Sequence, residues 1–135
     1  MILKVYTDGG ARGNPGSAGL GVYIIDEKGT PVEKRYKSLG VKTNNQAEYL
    51  GALNGIQRAI ELGAKEIELY MDSQLVVNQL SGIFKMKNPE LKEIKFEIDK
   101  MINAWGGKIS FIHIPREKNK EADRLSNIAM DKNEI

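Results

Sequence analysis

The stretch VYTDGGARGNPG, Val5 to Gly16, reads as a strand that ends on an acid and runs into turn chemistry. Five of the eight residues after Asp8 are Gly or Pro. A surface hairpin accounts for the glycines but not for the carboxylate. The deciding comparison is between KVYTDG (4–9) and ELYMDS (68–73), each with a Tyr two residues before an Asp at a strand end. If these strands are parallel neighbours, Asp8 and Asp72 lie side by side, roughly 5 Å apart. Ligands bind outside such strand ends where strand order reverses, and the first strand is placed to be that point.

Working outward, residues 2–8 and 19–26 are rich in Val, Ile and Tyr and bounded by glycine, which predicts strands. Residues 32–40 alternate as a third, and the short connections imply an antiparallel meander. The period then changes. Leu50, Leu53, Ile56 and Ile60 fall at helical spacing over 44–62, with Gly63 as a stop. A strand over 65–72, a short helix over 73–82 capped by Ser73, and a helix opened by Pro89 and ending near Trp105 follow. Residues 108–114 predict a last strand and 119–130 a closing helix. The order is βββαβααβα: an α/β fold with a five-stranded mixed sheet and right-handed helical crossovers.

At 135 residues the chain is expected to form one domain, 1–135, with a single core. A formal net charge of +2 does not by itself announce nucleic acid. Cysteine is absent, which excludes disulfides and thiolate metal sites and agrees with a reducing compartment. No secretory leader is visible, and the best apolar run, 19–25, is too short for a bilayer. The expectation is a cytoplasmic monomer with no membrane association and no obligate protein partner.

Two further acids bear on the Asp pair. Glu48 is expected in the first turn of the 44–62 helix, above a face of Gly51, Ala52, Gly55 and Ala59. A mid-helix glycine costs about 1 kcal/mol relative to alanine, so two need a reason. Close approach of this face to the sheet is one, and it brings Glu48 to the Asp pair. Packing alone accounts for the glycines equally well and leaves Glu48 unexplained. Asp123 opens the last helix, where a lone Asp ordinarily complements the helix dipole. Four clustered acids repel and raise one another's pKa, so a cluster implies cations. An all-oxygen ligand set favours Mg²⁺ or Mn²⁺ over Zn²⁺.

TDGGARGNPG, TNNQAEY, MDSQLVVNQL and PREKNKEADRLSN, in that order, resemble a type-1 ribonuclease H across almost the whole chain. The resemblance implies the ribonuclease H-like fold, with helices on both faces of the sheet. It also implies two divalent ions and hydrolysis of the RNA strand of an RNA–DNA hybrid, leaving 5′-phosphate and 3′-hydroxyl ends. Carried onto this sequence, the catalytic and metal-binding acids are Asp8, Glu48, Asp72 and Asp123. Asp8 is the ligand shared by both ions, Glu48 and Asp72 lie on the nucleophile side, and Asp123 holds or exchanges the other ion. The same resemblance makes Asn14, Asn44, Asn45 and Gln74 contacts to the hybrid, beside Thr43. GGARGNPG becomes a tight turn, with Gly9 and Gly10 leaving room for a nucleic-acid backbone.

Two departures from the family pattern matter. The basic helix and loop of many bacterial relatives is reduced to GIFKMKNPELK, leaving Lys85 and Lys87, with Lys92 as a further candidate, as the expected grip. No hybrid-binding domain is expected before residue 1. His113 fits the spacing of a loop histidine that aids product release in relatives, yet Ile109, Phe111 and His113 alternate as a strand. The strand reading is preferred, with Arg116 or Glu117 occupying the loop position. A silent nucleic-acid-binding module on the same fold is the main alternative, and it would call for a missing acid. A junction-resolvase-like enzyme and a domain severed from a reverse transcriptase are weaker alternatives.

Overall fold

The computed structural model describes residues 1–133. Three antiparallel strands, β1 (Ile2–Gly13), β2 (Gly16–Asp26) and β3 (Pro31–Lys42), are followed by helix α1 (Asn44–Glu61) and strand β4 (Glu66–Met71). Helices α2 (Gln74–Leu80) and α3 (Pro89–Trp105), strand β5 (Lys108–His113), a 3₁₀ turn at Arg116–Lys118 and helix α4 (Lys120–Asn133) complete the order. The sheet runs β3-β2-β1-β4-β5, with β4 parallel to both β1 and β5. This is the predicted mixed sheet and element order. No helix among the described residues is long and apolar enough to cross a membrane.

Side-chain alternation divides the sheet. Leu3 and Val5 of β1, Leu20, Val22 and Ile24 of β2, and Ile67 and Leu69 of β4 are all buried against α1. Burying each such side chain contributes about 1.5–3 kcal/mol. Across the other face runs one continuous rung, Lys34–Tyr23–Tyr6–Tyr70–Ile112, one residue from each strand. Tyr6 and Tyr70 stack at 4.7 Å between ring centroids, so the paired tyrosines of the sequence are a cross-strand pair.

Two expectations need correcting. First, β1 does not end at Asp8. Gly9 and Gly10 stay in the ladder, opposite Leu20 and Gly19, and the turn is confined to Gly13–Gly16. In sequence a glycine run signals a turn, but a two-stranded arm keeps its backbone hydrogen bonds whatever the side chain. Asp8 still stands at a parting, because the last β1–β4 pair is Tyr6 with Tyr70. Second, Glu48 lies in the second turn of α1 rather than the first: the helix begins at Asn44, as expected, and its first turn ends before Glu48.

Close approach does explain the α1 glycines. A Cβ on Gly51 would stand 2.9 Å from the Asp8 carbonyl oxygen, and one on Gly55 2.7 Å from the Thr7 methyl. The opposite face uses the same device. Cβ atoms on Gly19 and Gly21 would come within 2.6 Å of Ala129 and 2.3 Å of the Ala122 carbonyl oxygen. Those two glycines let α4 lie on β2, opposite α1, and Gly21 is the ladder partner of Asp8.

Candidate active site

Where β1 and β4 part, Asp8 and Asp72 follow their paired tyrosines, and Glu48 reaches them from α1. Carboxylate oxygens of Asp8, Glu48 and Asp72 all lie within 4.8 Å of one another. Asp123, in the first turn of α4, shares a cleft of about 410 Å³ with Asp8 and Glu48. Burial raises the Asp8 pKa to about 8, helped by the Asp72 charge and a hydrogen bond shared with Asp123, and opposed by the Gly9 N–H. Burial also raises Glu48 to about 7; the Ser73 hydroxyl and Arg116 pull it down, while Asp72 pushes it up. Without a cation, then, the cluster holds protons at neutral pH. An all-oxygen set that crowded fits hard divalent ions, and no His or Cys joins it.

Several polar groups hold these acids in place. The Asn119 amide is fully buried and donates to the Thr7 carbonyl at 3.0 Å and to Asp72 at 3.0 Å. It thereby ties the second Asp to the strand of the first. Ser126 donates at 3.4 Å to Asp8, and Asn127 at 3.4 Å to the Asp123 carboxylate. Ser73 caps α2 immediately after Asp72. None of Asn119, Ser126 or Asn127 was singled out from the sequence. The signal for Asn119 was its place at the entry to α4, which ordinarily reads as a cap.

The residues expected to contact a hybrid divide into two groups. Gly10 and Asn44 line the acidic cleft, while Asn14, Thr43, Asn44 and Asn45 line an adjoining groove of about 360 Å³. Within it, the Asn44 side chain accepts from the Ala11 N–H at 2.7 Å and the Asn14 side chain from the Asn44 N–H at 3.1 Å. Thr43 forms a capping box with Gln46. Gly9 lines the cleft too, but its missing side chain also serves packing, since a Cβ would stand 2.2 Å from the Ala47 carbonyl oxygen. Gln74 is exposed at the start of α2. Lys85 and Lys87 are exposed between α2 and α3 and line neither cavity. His113 ends β5, paired with Met71, in agreement with the strand expectation; Arg12 and Arg116 are the cations that line the cleft.

A family model described as reverse transcriptase-like matches residues 6–129. The crystal structure of ribonuclease H1 from the archaeon Halobacterium salinarum superposes with a TM-score of 0.93 at 35% identity, covering 98% of this chain and 99% of that one. The chain belongs to the type-1 ribonuclease H family. A second ribonuclease H1, from compost and solved in complex with an RNA/DNA hybrid, matches at TM-score 0.91 and 43% identity over 96% of this chain and 97% of that one. A bifunctional protein of Mycobacterium tuberculosis is 39% identical over 132 residues, 97% of this chain. This ribonuclease H-like chain spans about a third (36%) of that protein's length.

Proposed function

We propose that the chain is an endonuclease that hydrolyses the RNA strand of RNA–DNA hybrids. Two divalent ions, Mg²⁺ or Mn²⁺, would be held by Asp8, Glu48, Asp72 and Asp123. The observation that carries this is the convergence of the Asp8, Glu48 and Asp72 oxygens within 4.8 Å at the parting of two strands. Family membership and the relative solved with a hybrid support the substrate. A silent binding module would need a missing acid, and all four are present.

Bound ions would supply activation of the attacking water and neutralise the charge that develops at phosphorus and the leaving oxygen. Asp8 feels both Asp72 and Asp123 and is the carboxylate that two ions would share. Asn119 and Ser73 keep Asp72 and Glu48 aimed inward. Arg116 places a permanent positive charge beside Glu48, where it would meet an incoming phosphate. The side-chain amide of exposed Asn45 offers donor and acceptor together, which suits a 2′-hydroxyl and so RNA over DNA. Attack by water oxygen on phosphorus breaks the bond to the 3′ oxygen, which takes up a proton. The products are a 3′-hydroxyl and a 5′-phosphate.

The test uses end-labelled RNA–DNA, RNA–RNA and DNA–DNA duplexes with Mg²⁺, Mn²⁺ or EDTA. Cleavage of the RNA strand of the hybrid, with 5′-phosphate ends and none in EDTA, is expected. Cutting of the DNA strand, or cutting in EDTA, would overturn the proposal.

A further inference from the structure

We propose that Arg12 is a phosphate-binding residue at the hairpin end of the acidic cleft, gripping the nucleic-acid backbone beyond the reacting phosphodiester. This rests on the hybrid-cleaving reading above and names a grip that replaces the reduced basic segment. Arg12 lies four residues past Asp8 on β1, on the same face, which places it roughly 13 Å further along the cleft. Both residues line that cleft, and Arg116 is its other cationic lining residue. A polyanion entering a site walled by Asp8, Glu48 and Asp123 needs such cations, while Lys85 and Lys87 line neither cavity.

The guanidinium is also held in register with the acids. It pairs with Asp131 and donates to the Asn127 side chain at 3.3 Å, and Asn127 in turn donates to the Asp123 carbonyl at 2.9 Å. Placement of the cation is thus coupled to placement of a proposed metal ligand. The Asp131 side chain is 64% exposed, so this ion pair is a surface one, open to exchange with a phosphate. A planar guanidinium suits that exchange, since its forked donors match two phosphate oxygens.

The experiment compares wild type with Arg12→Gln, Arg12→Lys and, as a charge-matched control, Lys28→Gln on the β2–β3 turn. Steady-state cleavage of a labelled hybrid in Mg²⁺ gives KM and kcat. Hybrid affinity in Ca²⁺ across a salt series gives the slope of log K against log salt. Arg12→Gln should raise KM on the order of tenfold, with far less change in kcat. It should also flatten the salt slope by about one unit. Arg12→Lys keeps the charge and should keep the wild-type slope, as should Lys28→Gln. Wild-type KM and slope in Arg12→Gln would overturn the inference. So would a slope in Arg12→Lys as shallow as in Arg12→Gln, or a loss confined to kcat and thermal stability. Wild-type protein that binds the hybrid but leaves it uncut would refute the nuclease reading instead, and the slopes would still report on Arg12.

Discussion

Asn119 shows how much one buried amide can decide. Its two donors hold the Thr7 carbonyl and the Asp72 carboxylate, so strand and site share one side chain. Asn119→Ala should lower kcat at least tenfold, because Asp72 loses its orienting donor and a buried carbonyl loses its partner. KM should move much less, and both are read by steady-state cleavage of the hybrid; an unchanged kcat would release Asp72 from this dependence. His113 is the opposite case. At the exposed end of β5 it takes no part in the cleft, and His113→Ala should cost far less than the hundredfold expected of an essential acid–base group. A loss that large, with circular dichroism unchanged, would make it a participant. The acids could be read from the sequence because Asp8 and Asp72 follow matching tyrosines, Glu48 stands above the α1 glycines and Asp123 opens a helix. Asn119 could not, because a cap-like position in sequence does not reveal that the side chain turns inward.

The elements converge because glycines remove side chains where backbones meet. The α1 glycines were legible, since a helix interior disfavours them. Gly19 and Gly21 were not, because glycine in a strand next to a hairpin reads as a boundary. Gly9 and Gly10 carry the same ambiguity, since they resemble a turn in sequence although β1 continues through them past Asp8. Gly21 gives this an experimental handle. A methyl group there would stand 2.3 Å from the Ala122 carbonyl oxygen, so α4 must retreat and carry Asp123 and Ser126 away from Asp8. Gly21→Ala should destabilise the fold by about 1–3 kcal/mol, measured by urea unfolding, and lower kcat by more than KM changes. Stability and turnover both at wild-type values would mean that the tight contact is not needed.

At the scale of the whole molecule, the site sets how stability depends on pH. Folding raises Asp8 from an ordinary 3.8 to about 8, and Glu48 from 4.5 to about 7. Between those limits the folded chain holds protons that the unfolded chain has released, so metal-free stability should fall as pH rises from about 4 to 8. The contribution is fully present below the ordinary values and lost above the raised ones. Thermal melts in EDTA at pH 5 and pH 8 should show the decline, and Asp8→Asn should flatten it. Mg²⁺ should restore stability at pH 8, since ion binding replaces the protons. Two ions also add four positive charges to a chain of formal net charge +2, so hybrid affinity should rise with Ca²⁺ relative to EDTA. Equal affinity in the two buffers would remove that coupling.

Comparing Asp8→Asn with wild type tests the four-acid site most directly, because it removes one charge from the centre of the cluster and almost no volume. Turnover of the RNA strand of a hybrid is measured in Mg²⁺ for both proteins, with folding checked by circular dichroism. The variant should be folded, at least as stable as wild type in metal-free buffer, and without measurable hydrolysis. Near-normal turnover by folded Asp8→Asn would contradict the account.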